Sequence, residues 1–188
     1  MLRFIVPNAL GLFRLASVPV VVWLILEGRY NSAFWLFAAA GLSDLIDGVI
    51  ARRFNAVTRF GTVLDPIADK LLMTFTLIAL AIAGHAPWWL PALLFARDAA
   101  TTLGYGIALL KRIDLVRSPL AIGKIATGVT IFTTVILLAK PAFDWQIPWL
   151  VTSLSLLTAG LQLIVWALYT KIGLAALETS RRGRKKVT

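Results

Sequence analysis

Cysteine is absent from the 188 residues, and histidine occurs once, as His85. The first absence excludes disulfides, thiolate metal sites and a cysteine nucleophile. The second excludes a centre built from several histidines, so any metal must be held by oxygen. Charge is scarce as well. Charged residues make up 15% of the chain, against about a quarter in an ordinary soluble domain, while hydrophobic residues make up 59%. Such a chain has too little polar surface to cover its apolar content, and far too much apolar content for disorder. What remains is an all-α, polytopic membrane protein. Acids are scarcer than bases, 9 against 19, for a net charge of +10. In a membrane protein that excess marks cytoplasmic loops and contacts with anionic lipid, not nucleic acid.

Six apolar segments are each near the ~20 residues that a helix needs to cross the hydrocarbon core. They are predicted over about residues 8–26, 32–50, 62–83, 88–110, 120–139 and 147–169. Arg14 and Pro19 interrupt the first, which is expected to tilt or kink there. Arg14 also breaks the pattern of a signal peptide, so this segment is read as a retained span. Short turns are predicted at 84–87 and 140–144, and no linker divides the chain. One domain over 1–175 is therefore expected, followed by a flexible basic cytoplasmic tail over 176–188. Arg3, Arg52, Arg53, Arg59, Lys111, Arg112, Arg117, Lys171 and the tail fall on one side, and Arg29 and Lys140 on the other. That asymmetry predicts both termini in the cytoplasm and an even number of passes through the cell's inner membrane. Tyr30, Trp88, Trp89, Trp145, Trp149 and Tyr169, near the span ends, read as interfacial anchors.

Four of the nine acids fall between Asp44 and Asp69. Asp44 and Asp47 are three apart on one predicted helix, and Asp65 and Asp69 four apart on the next, so each pair shares a helix face. Gly48 and Ala51 continue the face of Asp44, which leaves room for a bulky group to approach the backbone. A short loop from Arg53 to Phe60 predicts that the two helices are antiparallel neighbours, with the carboxylates converging in a polar cavity near the cytoplasmic face. Four unpaired carboxylates there would repel one another, and a divalent cation resolves the conflict. Oxygen-only ligands favour magnesium or manganese, with calcium as the alternative.

The string is Asp44-x2-Asp47-Gly48-x2-Ala51-Arg52-x8-Gly61-x3-Asp65-x3-Asp69. It resembles the signature of the CDP-alcohol phosphatidyltransferases at every fixed position and spacer, and the six-span plan extends the resemblance over nearly the whole chain. The resemblance implies transfer of a phosphatidyl group from CDP-diacylglycerol to an alcohol, with release of CMP. It implies that Asp44, Asp47 and Asp65 hold the metal, and that Asp69 is the general base and also a candidate metal ligand. By the same resemblance Gly48, Ala51 and Gly61 line the nucleotide, Arg52 meets phosphate oxygens, and the enzyme is a homodimer among membrane lipids.

The alcohol depends on the second half. Arg97-Asp98, in the middle of the fourth span, and Lys124, at the start of the fifth, are the acceptor-side candidates. Residues 37–47 and 65–72, with Arg97-Asp98, look most similar to the CDP-alcohol type of cardiolipin synthase, whose acceptor is phosphatidylglycerol. Gly123 and Ala126 depart from that pattern. Glycerol 3-phosphate, giving a phosphatidylglycerophosphate synthase, is the alternative acceptor. It carries nearly two charges on a terminal phosphate and calls for more Arg and Lys than this span supplies. A divalent cation transporter is the alternative of a different class, since intramembrane carboxylates also mark ion paths.

Overall fold

The computed structural model describes the backbone of residues 2–54, 59–110 and 121–185, and the side chains of residues 11–43, 67–108, 110 and 121–175. It is all-α. The helices are α1 (Leu2–Leu26), α2 (Tyr30–Phe54), α3 (Arg59–Ile82), α4 (Trp89–Leu110), α5 (Ala121–Ala142) and α6 (Pro148–Lys185). Among the described residues, Ala121–Ala142 and Pro148–Ala175 are long and apolar enough to cross a membrane, and Gly11–Leu26 is a shorter apolar stretch.

Three of the helices end in the same way, and backbone chemistry explains it. After α1, Gly28 takes a left-handed φ of 72°, the Gly28 N–H donates to Ile25 (3.0 Å), and the Arg29 N–H donates to Leu24 (2.8 Å). After α3, Gly84 has φ 77°, its N–H donates to Ala81 (3.2 Å), and that of His85 donates to Leu80 (2.8 Å). This pattern satisfies carbonyls that a helix end otherwise leaves without partners, and glycine enters the left-handed region without steric penalty. At the end of α5 the left-handed residue is Asp144, with φ 53°, and the Trp145 N–H reaches Lys140 at 3.0 Å. Aspartate is among the few side chains that tolerate this conformation. The turn expected at 140–144 therefore begins later: α5 continues through Lys140, Pro141 and Ala142. Pro141 lies in this last turn, where it withholds the donor that would reach the carbonyl four residues back, and the helix stops one residue beyond it.

Ring contacts draw these turns together. Tyr30 packs edge-on against His85 with centroids 4.7 Å apart, Phe34 against Phe143 at 5.0 Å, and Phe143 tilts onto Trp145 at 5.7 Å. The α1–α2, α3–α4 and α5–α6 turns thus share one end of the bundle. The carboxyl end of α2, the start of α3 and the start of α5 lie at the other. There Gly123 faces Tyr169 of α6, where an added Cβ would make an ordinary contact, 3.5 Å from the phenol oxygen.

The helices close into a ring in the order α1, α2, α5, α6, α4, α3, with a further contact from α3 across to α5. Among the described residues α2 and α3 touch only slightly, while α1 packs extensively on both. The α2–α3 turn, where the two were expected to meet as antiparallel neighbours, lies outside the described residues, as do the side chains on either side of it. α1 presents an apolar stripe on which Val18, Val21 and Ile25 are buried. It meets the stripe Ala33, Phe37 and Ala40 of α2 and the stripe Leu72, Thr76, Ala79 and Leu80 of α3, all buried. Alanines let the three backbones approach closely. Pro19 does not break α1, which is continuous through it.

Hydroxyls and an amide join α5 to α6. Thr133 Oγ1 and Thr158 Oγ1 are 2.7 Å apart, and Gln162 Nε2 donates to Thr130 Oγ1 at 2.8 Å. Thr130 and Thr134 donate to the carbonyls of Ala126 and Thr130, at 2.8 and 2.9 Å. Such pairing keeps buried polar groups satisfied where no water reaches them. The last helix differs from expectation in length. α6 has 38 residues and remains helical through the basic run to Lys185. At ~1.5 Å per residue it is about 57 Å long, against a hydrocarbon core of ~30 Å.

Candidate active site

The motif straddles the α2–α3 junction. Asp44, Asp47, Gly48, Ala51 and Arg52 lie on the carboxyl-terminal half of α2, and Gly61, Asp65 and Asp69 on the amino-terminal half of α3. The helical periodicity assumed for each acid pair is therefore present in the backbone. The side chains of Asp44, Asp47, Arg52 and Asp65 lie outside the described residues, as do the surroundings of Gly48, Ala51 and Gly61.

Asp69 is described, and its setting could not be read from its neighbours in sequence. Its Oδ1 accepts an ion pair from Arg14 Nη1 on α1 at 2.9 Å. The two partners differ sharply in environment: the Arg14 side chain is 0% exposed and that of Asp69 is 41% exposed. The carboxylate is thus held on one side by a buried guanidinium while part of its side chain stays exposed. Arg14 is the residue that motif reasoning missed. A signal was present, because a lone charge inside an apolar span needs a partner.

The next residue turns toward α4. Lys70 Nζ lies 3.7 Å from Asp98 Oδ2, and Arg97 Nη1 donates to Asp98 Oδ1 at 2.6 Å. Thr101 Oγ1 donates back to the carbonyls of Arg97 (2.9 Å) and Asp98 (3.1 Å). Lys70 therefore faces Asp98 on α4. The cluster of Lys70, Arg97 and Asp98 carries one net positive charge next to Asp69. Lys124 stands exposed on α5 at the same end of the bundle, and among the described contacts nothing joins it to Arg97 and Asp98.

The motif residues on α2 and α3, with Asp69 and the neighbouring Lys70, Arg97 and Asp98, mark the candidate site. The chain belongs to the CDP-alcohol phosphatidyltransferase family, whose model matches residues 4–166. This sets aside the cation-transporter reading. Individual relatives narrow the comparison. The chain is 39% identical over 108 residues to a cardiolipin synthase (CMP-forming) of Streptomyces coelicolor, a match covering 54% of this chain and 50% of that one. It is 32% identical over 170 residues to the cardiolipin synthase (CMP-forming) of Rattus norvegicus, covering 79% of this chain and 56% of that one. It is also 40% identical over 102 residues to a protein of Mycobacterium tuberculosis named "Probable phosphatidylglycerophosphate synthase", covering 51% and 49%. The chain spans about half the length of these three relatives.

Proposed function

We propose that this protein transfers the phosphatidyl group of CDP-diacylglycerol to phosphatidylglycerol, forming cardiolipin and releasing CMP. The observation that carries the reading is the complete aspartate motif on α2 and α3, in a chain similar to two proteins named cardiolipin synthase. The acceptor hydroxyl loses its proton to the Asp69 carboxylate as its oxygen attacks the phosphatidyl phosphorus in line. The bond from that phosphorus to the CMP phosphate oxygen breaks, and CMP leaves with the electron pair. Asp44, Asp47 and Asp65 would hold magnesium or manganese, with Asp69 as a further candidate ligand. An oxygen-only donor set on two helices joined at one end fits such an ion. When bound, the metal neutralises pyrophosphate charge and favours departure of CMP. Gly48, Ala51 and Gly61 leave space for the nucleotide, and Arg52 offers a planar donor fork to phosphate oxygens.

The charges around Asp98 support a lipid acceptor. Lys70 and Arg97 share that one acid, so the net charge offered is a single positive one. A phosphodiester with one negative charge matches it better than the terminal phosphate of glycerol 3-phosphate. In this reading all six helices span the inner membrane, with both termini cytoplasmic and α6 projecting beyond the bilayer. The active protein is a homodimer. The test is incubation of purified protein, in bilayers, with CDP-diacylglycerol and either phosphatidylglycerol or glycerol 3-phosphate. CMP and cardiolipin are expected with the first. Phosphatidylglycerophosphate without cardiolipin would replace this acceptor by the one named for the Mycobacterium relative.

A further inference from the structure

We infer that Arg14 is a positioning residue for the transfer step, fixing the Asp69 carboxylate from outside the motif; this rests on the reading of Asp69 as base. Arg14 is the only charged residue between Phe4 and Leu26. It lies on the same stripe of α1 as Val18, Val21 and Ile25, at spacings of four, seven and eleven residues, and like them it is buried. The stripe that seats α1 against α2 and α3 therefore also seats the guanidinium. Its position is set by packing, and its Nη1 meets Asp69 Oδ1 at 2.9 Å.

Stability does not explain an arginine here. Taking a guanidinium out of water is costly, and an apolar side chain of similar volume in such a place is often neutral or stabilising. Asp69 needs no buried cation for its own sake, since two fifths of its side chain is exposed. What the pair provides is direction. One carboxylate oxygen is held by a donor on a rigid neighbouring helix, so the group cannot swing freely while it faces the acceptor. Arg14 forms and breaks no bond; it stays protonated while the proton from the acceptor hydroxyl goes to Asp69.

The experiment is a double-mutant cycle with Arg14→Met and Asp69→Asn in the full-length protein, reconstituted in bilayers. Turnover is read as CMP release per folded molecule. Arg14→Met is expected to lower kcat by about 10- to 100-fold, the scale of a small misplacement of a reacting group. The KM for CDP-diacylglycerol should stay within about threefold, because the nucleotide site is untouched. Arg14→Lys, which keeps the charge but loses the planar fork, should recover part of the loss. In the Asp69→Asn background the same Arg14→Met change should alter residual turnover less than about threefold, since the group it acts through is gone. A kcat at the wild-type level in Arg14→Met would overturn the inference, as would an equal loss in both backgrounds. If Arg14→Met does not fold, Arg14→Gln enters the cycle with the same expected outcomes. High turnover of Asp69→Asn alone would instead remove Asp69 as base, a result distinct from failure of the Arg14 proposal.

Discussion

Replacement of Asp69 by Asn tests the chemistry and the ion pair together, and the structure sets different magnitudes for each. The amide keeps the volume of the carboxyl group and an oxygen that can accept from Arg14, but it cannot take a proton. Loss of a general base lowers turnover by about 10²–10⁴-fold, or roughly 2.7–5.4 kcal/mol in barrier at 1.36 kcal/mol per tenfold. Folding is affected through Arg14, whose side chain is fully buried and would keep its charge. Breaking a buried pair from one side costs about 3–5 kcal/mol, whereas an exposed pair contributes about 0–1 kcal/mol. Asp69 is 41% exposed and the amide retains one acceptor, so Asp69→Asn should fall between, at roughly 1–3 kcal/mol. Arg14→Met should destabilise less, because it removes the buried charge and leaves a carboxylate that water reaches. The assay pairs CMP release per folded molecule with denaturant titration of both variants, and with binding of CDP-diacylglycerol. Turnover within a few-fold of wild type would refute the base assignment. Lost binding with CDP-diacylglycerol at saturating metal would make Asp69 chiefly a ligand. If Arg14→Met proved the more destabilising of the two, the account of the pair's asymmetry would be wrong.

Chelation by EDTA should abolish turnover, and magnesium or manganese should restore it; Asp44→Ala, Asp47→Ala and Asp65→Ala should each prevent that recovery, whereas full activity in EDTA would exclude the metal reading. Between α5 and α6, Thr133→Val or Thr158→Val should cost about 0.6–1.7 kcal/mol each by unfolding in bilayers, with the double variant costing less than the sum; strict additivity would mean that the 2.7 Å contact contributes no coupling. His85 is held below the ordinary imidazole pKa, first by burial and then by the nearby charge of Lys140. Because its folded value is depressed from about 6.5, the unfolded chain binds the proton more readily, so this contribution to stability is present above that pH and lost as pH falls through the folded value. Thermal melts from pH 7.5 to pH 5 should show that decline, and His85→Gln should flatten it; equal slopes in the two proteins would refute it.

Much of the site was legible in the chain because it is local. Helical spacing alone puts Asp44 with Asp47 and Asp65 with Asp69, and the backbone of α2 and α3 carries those residues as the spacing requires. The number of helices follows from apolar run length, and the stops at Gly28 and Gly84 from the conformational freedom of glycine. Pro141 marked a turn by its usual effect, and the helix ends one residue beyond it, where Trp145 N–H caps the Lys140 carbonyl.

The contacts that depend on which helices meet were decided by packing. Residue types cannot tell whether α2 and α3 pack on each other or on a third helix; the fit of the Val18, Val21 and Ile25 stripe against alanines on both sides places α1 there. That placement brings Arg14 to Asp69 across more than fifty residues, and the approach of α3 to α4 brings Lys70 to Asp98. By sequence Arg14 was only a charge interrupting an apolar run and Lys70 a neighbour of the motif acids. A charge in an apolar setting must find a partner, but the chain alone does not say which, because the choice depends on helix rotation and order in the ring.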